Sequence, residues 1–519
     1  MALVYQELSN FVWTRTSGFE KKYFQRIEYK CRNFEAHGLN NDTSLRLNHV
    51  FVPLRVESNS VSQVSPDMMH NLSEYESGEN ISYFLTKIKK NSAFQNLVIL
   101  GSPGSGKTTL LRYVALAYAT RRQKTLLDSH VPNFIPIIVA LRDVRQEIID
   151  NSRVSLVSLV LKSASEYKAT EPLNAPPEWF LRRLRLGKCL VMLDGLDEVA
   201  NFREREIVSR WVDQQMRNYP DSPFILTSRP FGYKSVNLKQ RVTVLEVKPF
   251  TLDQIQEFIH KWYLLTELKY QSKDDSGIKS EAREKADDLI KRVLNKAPLS
   301  TMATNPLLLT MISTVHRNGN ALPGRRVELY REICQVMLEK RQSAKHIYDS
   351  FSATAKQSVL QPLALTLMMK GKSDFKMSQI ETFLKERLAK VLRHPINPED
   401  FIAQIRDVSA LIMEKDIGEY EFSHLSLQEY LASVAIKEMG QENILINVIK
   451  GHKGISWWAE TIRLYAAQSD ATRIIQTALN ERTVETLSLA YSCLEECKSV
   501  DIFVRQEVEN ILERSLEAR

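Results

Sequence analysis

Cysteine is scarce in this chain, five residues among 519, and the five are scattered. The one close pair, Cys493 and Cys497, would stand a helical turn apart with no second pair to complete a zinc site. A disulfide framework and a cysteine metal centre are therefore excluded, and the thiols are expected to be reduced packing residues. No run reaches the roughly 18 apolar residues that span a bilayer, and Met1 is followed by no basic segment with an apolar core. The chain is expected to be soluble and cytoplasmic, with no membrane span. A long block of one charge is also missing, since 70 Lys and Arg interleave with 62 Asp and Glu to give a formal charge of +8. That balance permits contact with nucleic acid without arguing for it. No fixed-period repeat is visible, which speaks against a long solenoid. What remains is ordinary globular material, 43% hydrophobic and 25% charged, with length for roughly three domains.

Against that background one segment stands out. Leu97 to Thr109, LVILGSPGSGKTT, runs an apolar strand into a glycine-rich loop and then into the amphipathic run LLRYVALAYA. Gly101, Gly104 and Gly106 let the backbone wrap around phosphate oxygens, and the following helix directs its positive end at the anion. Lys107 would reach the β- and γ-phosphates of ATP or ADP, and Thr108 would hold Mg²⁺. Ser102, Ser105 and Thr109 complete the candidate nucleotide-binding set.

Further along, Cys189 to Glu198 (CLVMLDGLDE) is an apolar strand ending in acids. Asp194 would lie at the strand end and hold Mg²⁺, directly or through water. Asp197 and Glu198 lie on the next turn and could polarise the attacking water, Glu198 being the first choice as catalytic acid and Asp197 the alternative. In FILTSRP, Thr227, Ser228 and Arg229 emerge at another strand end, where Arg229 could meet the γ-phosphate.

The organisation follows the same signals. Residues 1–57, with a helix-like stretch around Phe19 to Phe34 and the β-type run VFVPLRV at Val50 to Val56, read as a small N-terminal domain. The Ser- and Asn-rich residues 58–80 read as a linker. From 81 to 249, the apolar runs NLVIL, FIPIIVAL, CLVMLD, FILTSR and VTVLEV alternate with helical patterns, which implies a buried parallel sheet flanked by helices, an α/β P-loop NTPase core. Thr251 caps a helical region expected over 250–350, including Asp287 to Asn295, Leu307 to Val315 and Arg326 to Arg341. Residues 351–438 read as a compact domain of short helices with a β-like patch, and 439–519 as helical pairs forming a short C-terminal domain.

The order GSPGSGKTT, LVMLDGLDE, FILTSRP, NPLLLTM, LPGRRVELY and FSHLSLQEYLA resembles the NACHT-module branch of STAND signalling NTPases over residues 81 to 435. The resemblance implies an ATPase core, a helical domain and a winged-helix domain that together enclose the nucleotide. It makes Lys107 and Thr108 the Walker A pair, Asp194 the metal-binding acid, Glu198 the catalytic acid and Arg229 the sensor. It places the proline of Asn305-Pro306 near the adenine and gives His424 a contact to the β-phosphate in an ADP-bound closed form. The layout resembles compact bacterial NACHT proteins associated with defence against phage. That likeness implies a switch that hydrolyses ATP slowly with Mg²⁺ and assembles into a homo-oligomer on sensing a trigger, a phage component being one candidate. The competing reading is a constitutive P-loop motor or nucleic-acid-remodelling ATPase. No aromatic or basic pore loop supports it.

Overall fold

The structure, a computed structural model, describes residues 18–34, 45–58, 78–165, 175, 178–199, 202–234, 236, 238–271, 276–319, 322–340, 351–391, 396–409, 411–416, 418–422, 424–452 and 454–517. The described residues up to Leu309 form one compact unit and those from Thr310 onward a second. Among the described residues, no helix is long and apolar enough to cross a membrane.

The first unit is built on seven strands: β1 (Arg55–Ser58), β2 (Glu79–Asn80), β3 (Asn96–Leu100), β4 (Ile135–Ala140), β5 (Cys189–Asp194), β6 (Phe224–Ser228) and β7 (Thr243–Val247), in the spatial order β2-β1-β7-β3-β6-β5-β4. Strands β3 to β7 are mutually parallel and coincide with the five apolar runs. Every residue of β5 is buried, which is why its sequence is continuously apolar rather than alternating. The parallel register sets Leu100 opposite Ser228 and Ala140 opposite Asp194. The loops that follow β3, β5 and β6 therefore leave the sheet along one edge, and the nucleotide chemistry is gathered there.

The described residues of the stretch 1–57 do not stand apart as the separate domain expected there. Strand β1 pairs antiparallel with β7, Val56 opposite Val247, and β2 extends the sheet beside it. Helix α1 (Phe19–Cys31) lies against α2 (Lys107–Ala119). Its aromatic face is buried, Phe19 at 5.0 Å from Trp179 and Tyr23 at 5.1 Å from Phe180, and Tyr23 Oη donates to Pro136 O at 2.8 Å. Only the end of the run Val50 to Val56 is strand. Leu47–Val50 is a helical turn and Pro53, which has no N–H for a ladder, precedes the pairing. The expected linker is likewise shorter than 58–80, since Ser58 and residues 79–80 are in the sheet; residues 59–77 lie outside the described residues.

After β4 comes α3 (Leu141–Asp150), after β5 comes α4 (Phe202–Asn218), and after β7 come α5 (Leu252–Gln271), α6 (Ser276–Leu294) and α7 (Pro306–Arg317). Helix α5 starts in a reciprocal cap: Gln254 N–H donates to Thr251 Oγ1 at 3.3 Å and Thr251 N–H to Gln254 Oε1 at 2.9 Å. The helical block expected over 250–350 does not stand as one domain. Residues up to Leu309 pack in the unit of the sheet, and those from Thr310 belong to the second. Helix α5 is tied to the strap before β1 by two hydrogen bonds: Lys261 Nζ donates to Phe51 O at 3.0 Å and Gln254 Nε2 to Pro53 O at 2.6 Å.

In the second unit, α8 (Arg326–Gln335) and α9 (Ala353–Met369) precede a three-stranded antiparallel sheet, and α10 (Met377–Val391) follows its first strand. Its strands are β8 (Asp374–Lys376), β9 (Ile412–Asp416) and β10 (Glu419–Phe422), in the order β8-β10-β9. Helix α11 (Leu425–Glu438) follows and packs on α9. Five helices end the chain: α12 (Asn443–Gly451), α13 (Ile455–Ala466), α14 (Thr472–Glu481), α15 (Val484–Glu496) and α16 (Ile502–Glu517). They reveal a repeat that the sequence does not announce. Helices α12 and α14 begin 29 residues apart, as do α13 and α15, and α12 packs on α14 while α13 packs on α15. The repeat is one of spacing and burial, with no shared motif to betray it.

Candidate functional site

Strand β3 ends in four buried residues, and the chain then turns at Gly104 (φ +74°) and Gly106 (φ +88°), both in the left-handed region. A Cβ on Gly104 would lie 2.7 Å from Leu307 Cβ, and one on Gly101 would lie 2.6 Å from Ser105 Oγ, so the cradle tolerates no side chain at either position. Leu54, in the strap before β1, lies against Gly106. Helix α2 begins at Lys107, whose Nζ donates to Gly101 O at 2.7 Å and Ser102 O at 3.1 Å. Burial pulls the Lys107 ammonium down to about 8, against the opposing attraction of Asp197, Asp194 and Glu198 and with a push from Arg229. Ser102 Oγ is buried with no hydrogen-bond partner among the described residues. Glycines in the left-handed region, an orphaned hydroxyl and a cation held on loop carbonyls are what a polyphosphate site requires, so these residues fit ATP or ADP. Thr108 is exposed at the start of α2 and Thr109 is half-buried beside it.

The acids are held apart in role. Gly195 N–H donates to Thr227 Oγ1 at 2.9 Å, and that hydroxyl donates to Asp194 Oδ1 at 2.5 Å, which fixes the carboxylate at the end of β5. Asp197 is engaged on both oxygens by one residue: Arg229 N–H donates to Oδ1 at 2.8 Å and Arg229 Nε lies 3.1 Å from Oδ2. Glu198 is half-buried, with Oε2 at 3.4 Å from Arg142 Nη1 on α3. Lys107, Asp194, Asp197, Glu198 and Arg229 are thus brought to one edge of the sheet. Among the described residues no group of three or more His, Cys, Asp and Glu converges as a metal cage. A Mg²⁺ ion would rest on Thr108, Asp194 and phosphate oxygens, which suits a cation that keeps much of its water.

At the site the sequence missed one residue, Arg142, and the role of another, Asn305. Arg142, the partner of Glu198, carries no signal, being one cation among 70. Asn305 had one, an Asn before a Pro at a helix start. Its Oδ1 accepts from Leu307 N–H at 3.0 Å, its Nδ2 donates to Pro103 O at 2.9 Å, and Leu307 N–H donates to Gly104 O at 3.2 Å. Helix α7 is thereby docked on the phosphate loop, with Pro306 as its first residue. His424 belongs to the second unit. There its Nδ1 accepts from Ser426 N–H at 3.0 Å and caps α11, which leaves the neutral ring's proton on Nε2.

Lys107→Ala is expected to weaken ATP binding roughly ten- to a hundredfold, about 1.5–3 kcal/mol for a charged phosphate contact. A phosphate raises the pKa of the ammonium, so binding takes up a proton above pH 8. Wild-type affinity should fall as pH rises from 8 to 9.5, and the variant's should not show that term. Calorimetry across that range reads both effects.

Residues 95–264 match the NACHT domain, and residues 326–436 match the winged helix-turn-helix domain that lies C-terminal to NACHT. Among curated proteins, none matches the chain. One similar solved structure is a STAND protein with a tetratricopeptide-repeat sensor from Pyrococcus horikoshii, 16% identical at a TM-score of 0.32, with 83% of this chain and 55% of that one covered. This chain therefore spans only about half the length of that protein. Others are the Drosophila ORC bound to DNA (14% identity, TM-score 0.26, 77% and 92% covered) and the Aeropyrum pernix ORC1 protein in complex with DNA (14%, 0.27, 70% and 92%). The two matched domains together take in more than half of the 519 residues, and the chain carries a NACHT P-loop NTPase domain followed by its winged-helix domain.

Proposed function

We propose that the chain is a nucleotide-dependent switch that hydrolyses ATP slowly with Mg²⁺, assembles with its own copies when triggered, and serves a cytoplasmic defence role such as immunity to phage. The observation that carries the slow, gated hydrolysis is the Arg229–Asp197 pair, in which the guanidinium of the candidate γ-phosphate sensor already holds an acid, its Nε on Asp197 Oδ2, while the Arg229 backbone N–H holds Oδ1. A γ-phosphate competes for that guanidinium and a diphosphate has nothing to offer it. The two nucleotides therefore differ in what they do to the pair, and only such a difference can shift a two-state equilibrium. Mg²⁺, when bound, neutralises phosphate charge. The chain's own residues cradle the phosphates (Gly101 to Thr108), fix the metal-side carboxylate (Thr227 on Asp194) and accept the water proton (Glu198). A motor predicts fast turnover stimulated by its polymer. The switch predicts low basal turnover and ATP-dependent assembly, and turnover with light scattering in ADP, ATP and added DNA separates the two.

His424 supplies a sharper test. Its cap on α11 accounts for part of any loss, since removing an N-cap costs about 1 kcal/mol. His424→Asn keeps a capping acceptor but loses the Nε2 donor, whereas His424→Ala loses both. If the imidazole also holds a β-phosphate in the ADP form, both variants lower ADP affinity ten- to a hundredfold relative to ATP and raise trigger-free assembly. If it only caps, His424→Asn restores the melting temperature and neither variant alters nucleotide preference.

A further inference from the structure

The first unit has a second concave site, at the sheet edge away from the phosphate loop. Helix α4, the C-terminal end of α3, the loop 151–155 and Lys239 enclose a half-open cavity of about 830 Å³. Its walls are built by buried anchors. Trp211 Nε1 donates to Val154 O at 2.9 Å, fixing one wall, and Asp213 accepts the N–H groups of Lys239 and Gln240 at 3.0 Å, fixing the other. The anchors are satisfied, so what the walls present is cationic: Arg153, Arg210, Arg217 and Lys239 all line the space and all are exposed. Among the described residues neither Arg153 nor Lys239 has an ion-pair partner, Arg217 bonds only the neutral Gln214, and Arg210 donates through Nε to the Glu206 backbone O at 3.3 Å while its Nη2 lies 3.9 Å from the Glu206 carboxylate. The one acid of the lining, Asp213, is buried and bound to backbone N–H groups.

We propose that this cavity binds the phosphate backbone of single-stranded nucleic acid. Three guanidinium forks and an ammonium around one hollow match successive phosphates better than isolated carboxylates, because each fork can take two oxygens of one group. The hollow selects a strand over a duplex. A duplex is a convex rod that touches a concavity only at its rim, whereas a flexible strand enters it. Nothing in the lining reads base edges through a rigid element, so the binding is expected to be independent of sequence and steeply salt-dependent.

The test is fluorescence anisotropy of the full chain with a labelled 20-nucleotide polyuridine across a range of KCl. Arg153→Glu with Arg217→Glu should lower affinity tenfold or more, and the neutral pair Arg153→Gln with Arg217→Gln should flatten the log–log salt slope by about 1.4, the loss of two phosphate contacts on a single strand. ATP affinity should be unchanged in both, and Lys107→Ala should bind the RNA as the wild type does. The proposal is overturned if the wild type does not bind the strand, if the charge-reversed variant binds it as well, or if Lys107→Ala abolishes binding and so places the RNA on the phosphate loop. It is equally overturned if duplex binds more tightly or if polyglutamate displaces the RNA as effectively as polyuridine does, the latter marking a site for acidic proteins.

Discussion

Glu198→Gln is expected to retain ATP while losing roughly 10²- to 10⁴-fold in kcat, the usual range for removal of a general base. The assignment turns on which acid can still accept a proton. Asp197 has both oxygens engaged by Arg229, and its Cβ is close enough to Gly232 that a methyl there would lie 2.5 Å away, so it is held from two sides. Glu198 Oε2 lies at a longer 3.4 Å from Arg142 Nη1, and its side chain is longer and partly exposed, so it can turn toward a water. Gly195 is what gives it room, since a Cβ at that residue would lie 2.9 Å from Glu198 Cδ. Phosphate release and ATP binding measured on the same preparations distinguish loss of chemistry from loss of substrate. Abolition of turnover by Asp197→Asn, with Glu198→Gln active, would move the role to Asp197. Arg142→Ala should lower turnover less than Glu198→Gln, because the arginine acts only by positioning.

Most of this site was legible because its signals are local. A phosphate loop needs glycines within six residues, and a strand buried on both faces needs an unbroken apolar run, so the segments Leu97 to Thr109 and Cys189 to Glu198 announce themselves. What was not legible depends on distant pairing. Nothing in VFVPLRV says that Val56 will sit opposite Val247 on an antiparallel edge, since a short apolar run reads alike in a free-standing unit and in a sheet. Arg142 becomes a site residue only through the parallel neighbour that brings α3 beside Glu198. The 29-residue helical repeat escaped for a related reason: successive pairs share spacing and a buried face, and any apolar residue satisfies that demand.

The same limit hid the strongest electrostatic feature of the second unit. Arg326, at the start of α8, pairs with Glu460 of α13, and its Nη2 lies 2.7 Å from Glu496 Oε2 of α15. Arg463 Nη2 lies 2.6 Å from Glu496 Oε1 and its Nη1 3.5 Å from Glu460 Oε2. Two cations and two acids, none more than 12% exposed, thus join the winged-helix domain to the terminal helices. The quartet is neutral as it stands, and removing one cation leaves a net negative charge out of reach of water. Arg326→Met, which keeps the length of the side chain and drops its charge, is expected to destabilise this unit by about 3–5 kcal/mol. For a body of this size that lowers Tm by on the order of 10 °C. The cost should be charge-specific. Adding Glu460→Gln to Arg326→Met restores neutrality, and the double variant should be more stable than Arg326→Met alone even though it lacks one more ion pair. Thermal melts of the wild type, both single variants and the double variant close the cycle. Additive losses would show instead that the four residues contribute only as independent contacts.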